Sequence, residues 1–160
     1  MDSSPPAGAT VLVAGTAEAI ATAKYALGPD FASLPASSVD HAISLLSEDI
    51  DAIVCNVDFD DSRMFDFIHA ARQSFAARLI PIICFRHQAR PLSRTTRDAI
   101  ELALSMVAQT CFVDLYSITE KAGLSHALMA LRAAVLNTLG IESRVSLSSA
   151  THPVFSLDVG

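Results

Sequence analysis

At 160 residues, with 51% hydrophobic and 18% charged side chains, the chain suits one α/β-sized domain with a core of many small apolar groups. A domain of this length buries about two-thirds of its unfolded surface and needs no disulfide or metal to hold it together. The net charge of −6 and the lack of a Lys/Arg cluster exclude the nucleic-acid binders, and no run of about 18 apolar residues exists to cross a membrane. Met1–Ala9 is polar and proline-rich without the basic start and apolar run of a signal peptide, so a cytoplasmic location is expected.

The first predicted element is a buried strand over Thr10–Ala14, a short β-branched run. Alanine-rich Ala17–Leu27 predicts a helix, stopped by Gly28-Pro29. Phe31–Ala36 reads as a strand that Pro35 confines to a sheet edge. Ser37 and Ser38 are candidate N-caps for a helix over Val39–Ser47, whose Val39, Ala42, Ile43 and Leu46 share one face. Ile50–Val57 is the next strand, and Asp58–Ser62 a polar turn. A helix follows over Met64–Gln73, with Phe65, Ile68 and Arg72 along one side. Leu79–Phe85 reads as a strand opened by Pro81. Ser93–Gln109 reads as a long helix striped by Ile100, Leu104 and Val107, broadened by Leu102 and Met106. Thr110–Leu115 is the last strand. Thr119–Leu139 is the last helix, with Leu124, Leu128, Leu131 and Val135 on one face.

The order is strand then helix, five times over, which implies a parallel sheet covered on both faces. The expected fold is therefore α/β, a five-stranded parallel sheet in order 2-1-3-4-5, since right-handed crossovers leave few other orders. Three divisions follow: a disordered N-terminal segment 1–9, a domain 10–140 and a tail 141–160. The tail is rich in Ser, with Val154, Phe155, Leu157 and Val159 able to dock. Cys55, Cys84 and Cys111 each fall in a strand-like run, on neighbouring strands. An odd count with no CxxC pair reads as reduced, buried thiols.

In a doubly wound sheet, function sits at the carboxyl ends of the strands. Those ends carry Gly15 and Thr16 after the first strand, Asn56 and Asp58 after the third, Arg86 and His87 after the fourth, and Asp114 after the fifth. The third strand, Asp51 through Asn56, and the helix start at Met64–Ile68 resemble the response-regulator receiver (CheY-like, flavodoxin-like) family. The first strand and Leu79–Phe85 fit as well, and the likeness covers about Thr10 to Asn137.

The resemblance implies where the family's chemistry would fall, and each position departs from it. The acidic pair that holds Mg²⁺ falls on Gly15 and Thr16. The phosphoacceptor aspartate falls on Asn56, the switch Ser/Thr on Arg86, and the conserved lysine near Asp114. A carboxamide is not a nucleophile for an aspartyl-phosphate linkage. A hard Mg²⁺ ion without carboxylates lacks its ligands, and a transferring phosphoryl group without the lysine lacks its counter-charge. Asp58, Asp60 and Asp61 read either as a relocated acceptor or metal site, or as a solvated turn. Arg86 either reaches solvent or meets an acid, with Asp58 or Asp66 as the expected partner. His41, His69, His87 and His126 have no metal-ligand spacing.

The resemblance thus implies a degenerate pseudo-receiver: a non-enzymatic protein–protein interaction module of bacterial two-component signalling. It would need no cofactor and no metal. The expected partners are proteins, a signalling kinase or regulator, or a second copy of the chain. The family's partner face maps to about Ser93–Asn137, and Met129, Leu136 and Arg132 on the last helix are the candidate partner residues. Two alternatives stay open at this point. One is a true phosphoacceptor with shifted acidic residues. The other is a small-ligand or nucleotide binder on a Rossmann-like sheet, for which the sequence offers only Gly15-Thr16 and no glycine-rich loop.

Overall fold

The computed structural model describes residues 8–87 and 93–140. Its strands are β1 (Thr10–Ala14), β2 (Ala32–Ala36), β3 (Ala52–Asn56), β4 (Ile82–Arg86) and β5 (Thr110–Asp114). All pair in parallel, in the order β2-β1-β3-β4-β5. The helices are α1 (Ala17–Leu27), α2 (Val39–Leu45), the short turn α3 (Phe59–Ser62), α4 (Met64–Gln73), α5 (Arg94–Ser105), α6 (Leu115–Ala122) and α7 (Leu124–Thr138). The expected sheet and order are those observed. The expectations for the first seven residues and for the tail from 141 lie outside the described residues. Ala9, expected in the disordered segment, is in place and accepts the N–H of Ala32 at 3.0 Å.

Successive strand residues point to opposite faces, so a strand buried on both sides builds two cores. Leu12, Ile53, Cys55, Ile82 and Cys84 join the face under α2, α4 and α5, through Ala42, Phe67, Ile68 and Leu104. Val11, Val13, Val54, Ile83 and Phe85 join the other face, under α1 and α7. There Ala19, Ala23, Ala26 and Ala127 let the helix backbones approach the sheet closely, which accounts for the alanine-rich composition of α1.

Three details differ from the sequence reading. The last helix is two, because Gly123 takes φ 94° and breaks the path between α6 and α7. The polar turn after β3 is left-handed, with φ of 47°, 57° and 66° at Asp60, Asp61 and Ser62. Such backbone costs about 1 kcal/mol or more per residue, least for Asp. Asp60 offsets part of that by accepting the N–H of Val39 at 2.9 Å, at the start of α2. Arg72, expected in an apolar stripe, instead donates to the carbonyls of Ile80 at 2.8 Å and Ala108 at 2.9 Å. It ties the end of α4 to the turn before β5.

Candidate functional site

The carboxyl ends of the strands bring Gly15, Thr16, Asn56, Asp58, Arg86 and Asp114 to one end of the sheet, as their sequence positions predicted. They form two unlike halves.

The β1–β3 half is packed around neutral groups, with the one carboxylate, Asp58, at its outer turn. Gly15 is buried, and its N–H donates to Ala36 O at 3.0 Å. A Cβ at Gly15 would stand 3.0 Å from the Asn56 Cβ and 3.1 Å from the Ala19 Cβ, so the glycine is what lets the two strand ends meet. Thr16 is spent on local structure: its hydroxyl caps α1 by accepting the N–H of Ala19 at 3.2 Å. Asn56 is fully buried, with both ends of its amide engaged. Nδ2 donates to Phe85 O at 3.3 Å, and Oδ1 accepts the Asp58 N–H at 3.2 Å. Asp58 is half-buried at the turn beyond it.

The β4–β5 half is charged and tied together. Arg86 is 2% exposed, and its Nη1 donates to Asp114 Oδ2 at 3.0 Å. Its guanidinium lies 4.7 Å from the Tyr116 ring centroid, a cation–π contact. Asp114 is the hub. Its Oδ2 also faces Arg97 Nη2 of α5 at 3.2 Å and accepts from Ser117 Oγ at 3.1 Å. Its Oδ1 accepts the Ser117 N–H at 3.1 Å, capping α6. Arg97 Nη2 in turn donates to Ser117 Oγ at 2.7 Å. The expected partners of Arg86 were Asp58 and Asp66. Asp66 is instead engaged by Arg63 at 3.2 Å, and the acid that meets Arg86 comes from the neighbouring strand, in register with it. Asp114 as a hub, and Arg97 with it, were missed from sequence. The signal was the register of β4 on β5, which puts residues 86 and 114 side by side.

The end of β1 offers Gly15 and Thr16, neither of them a carboxylate. Among the described residues no cluster of three His, Cys, Asp or Glu side chains could hold a metal ion. The donor set at Gly15, Thr16 and Asn56 therefore does not fit Mg²⁺, which is held through carboxylate oxygens. The two buried thiols are disfavoured as thiolates. Burial pushes Cys55 and Cys84 well above the ordinary thiol range, and the neighbouring sulfur adds to it. Cys111, expected to be buried, is exposed on β5, because β5 is an edge strand; partial burial still raises its thiol.

The partner-face residues are less uniform than their spacing implied. Met129 is exposed. Leu136 is half-buried against the core under α1 and α7, and so does not extend an outer apolar strip. Arg132 turns inward: it donates to the carbonyl of Leu27 and pairs with Asp30 at 3.1 Å, over the Phe31 ring. No helix among the described residues is long and apolar enough to cross a membrane.

No protein-family model matches the sequence, and no curated protein does. Solved structures do. A protein described as a response regulator from Chloroflexus aurantiacus superposes with a TM-score of 0.62 at 17% identity, covering 83% of this chain and 98% of that one. The phosphorylated cyanobacterial phytochrome response regulator RcpA gives 0.60 at 13% identity, over 83% and 95%. The chemotaxis response regulator CheY4 of Vibrio cholerae gives 0.58 at 17%, over 81% and 99%. The chain therefore has the receiver fold, CheY-like, over nearly the whole length of these proteins.

Proposed function

We propose that this receiver-like domain takes no phosphoryl group and acts as a non-enzymatic protein–protein interaction module in signalling. The observation that carries the reading is Asn56. It stands where the family's acceptor aspartate would, is fully buried, and has both amide ends engaged. A carboxamide there cannot form the acyl phosphate. The charge arrangement next to it supports the same reading. Arg86 stands at the switch position and Asp114 at the lysine position, so the cation and the anion answer each other rather than an incoming phosphate.

Arg97 of α5 is clipped to Asp114 and to Ser117 of α6, which fixes α5 against the end of β5. The partner surface proposed is this fixed face, from about Ser93 to Asn137. Leu102, Met106, Leu124 and Met129 are its large exposed apolar groups. A signalling kinase, a regulator or a second copy of the chain would meet it.

The test is treatment of the purified chain with acetyl phosphate and Mg²⁺, followed by intact-protein mass spectrometry. The unmodified mass is expected. A reproducible gain of one phosphoryl group, abolished by Asp58→Ala, overturns the reading in favour of a shifted acceptor.

A further inference from the structure

β5 and β2 are the two edges of the sheet, and unprotected edges recruit additional strands. β2 is blunted by Pro35, which has no N–H to offer. β5 has no such device. Thr110–Asp114 contains neither proline nor lysine, and its one charge, Asp114, is drawn inward to Arg86 and Arg97. Ile82 N donates to Gln109 O at 2.9 Å. From that bond the parallel alternation assigns the N–H groups of Cys111 and Val113 to β4. It leaves those of Thr110 and Phe112 on the outer side.

Two grooves flank this edge. One, of about 440 Å³, is lined by Pro81, Ile82, Gln109, Thr110, Cys111 and Thr138. The other, of about 250 Å³, is lined by residues of α5 with Thr110, Cys111 and Phe112. Thr138 is the last residue of α7, so the chain leaves the fold at the mouth of the larger groove. Beyond Gly140 the sequence reaches Phe155-Ser156-Leu157-Asp158-Val159, a strict apolar–polar alternation. That is the pattern of a strand with one buried face. Fourteen residues, 141–154, separate it from Gly140. They span up to about 46 Å, against about 17 Å for a five-residue strand, so the segment reaches any point of β5.

We infer that residues 155–159 add to the outer edge of β5 as a sixth strand in the same molecule, with Phe155, Leu157 and Val159 turned into the flanking groove. The inference does not depend on whether Asn56 accepts a phosphoryl group. It concerns the opposite end of β5 and the edge itself.

Amide hydrogen exchange on the full chain tests it, residue by residue. Thr110 and Phe112 amides should exchange as slowly as those of Cys111 and Val113. Phe155→Asp with Leu157→Asp should speed Thr110 and Phe112 at least tenfold while Cys111 and Val113 stay slow, which shows the sheet intact. Protection should not change over a hundredfold dilution, and light scattering should give a monomer's mass. Fast exchange of Thr110 and Phe112 in the parent chain overturns the inference. So does protection that the two substitutions leave untouched, which would mean another cover. Protection lost on dilution, with a doubled mass at high concentration, overturns it in favour of a second copy.

Discussion

The two halves of the strand-end site reach closure by opposite physics. At β1 and β3 the groups are neutral and the gap is closed by contact: Gly15 lets Asn56 and Ala19 approach, and the carboxamide satisfies itself on backbone. At β4 and β5 the groups are charged and the gap is closed by pairing, with one carboxylate serving two guanidiniums, a hydroxyl and a backbone N–H. The two arrangements differ in fragility. A neutral buried amide loses one or two hydrogen bonds when changed. A buried ion cluster loses its compensation all at once, and the partner left behind is a charge out of water.

The largest effect should therefore come from the charged half. Asp114→Ala takes from Arg86, which is 2% exposed, the carboxylate paired with it at 3.0 Å, and also removes the cap of α6. Breaking a buried pair from one side costs about 3 kcal/mol, and the cap adds about 1 kcal/mol. Urea denaturation should show the midpoint falling accordingly. The double variant Arg86→Met with Asp114→Ala should recover much of the loss, since the buried guanidinium is gone and Arg97, about a third exposed, can turn to solvent. If the single and double variants fall equally, the pair is not what holds this half.

The neutral half is probed by giving it the charge it lacks. Asn56→Asp replaces a donor with a carboxylate oxygen facing Phe85 O, at a fully buried position. The loss at neutral pH should be about 2 kcal/mol, the cost of an unsatisfied buried acceptor. Its pH dependence has a definite sign. Burial raises the introduced carboxyl above its unfolded value of about 3.9, so the folded state holds the proton more tightly. The variant keeps its stability below that value and loses it as the pH rises through the folded one. The parent should show no such slope from this position. A small loss with no slope would mean that Arg86 has left Asp114 for the new carboxylate, which would join the two halves into one.

The unequal legibility of the site in the sequence follows from the same contrast. The strand order and the placement of Gly15, Asn56, Arg86 and Asp114 at one end came from apolar runs and spacing, because buried parallel strands write themselves as continuous β-branched segments. The partner of Arg86 did not. A salt bridge across β4 and β5 depends on register, and the apolar run Leu79–Phe85 left the start of β4 three residues early. The α6–α7 break was also hidden. Ala and Leu on both sides of Gly123 favour helix, and only the observed φ of 94° shows that the glycine ends one helix and begins another. Likewise Thr16 and Asp114 were read as vacated chemical positions, when each is also the N-cap of the helix that follows. A side chain that caps a helix is bound to backbone groups that sequence alone does not place.

The smallest expected effect lies where the charged half meets solvent. Arg97 is about a third exposed and touches Asp114 at 3.2 Å and Ser117 Oγ at 2.7 Å. Solvent screens such a pair, so Arg97→Met should cost only about 0.5 kcal/mol of global stability. Its consequence is local. Arg97 is the link from α5 to the Asp114 hub, and α5 buries one residue fully, Leu104. Removing the link should speed amide exchange along the first turns of α5, while the β4 amides, held by ladder bonds on both sides, stay slow. Arg97→Lys should restore only part of the protection, because an ammonium cannot span the carboxylate and the hydroxyl as the planar guanidinium does. Equal exchange in all three proteins would mean that α5 is held by Leu104 and its apolar neighbours alone. The fixed partner face would then owe nothing to the ion cluster behind it.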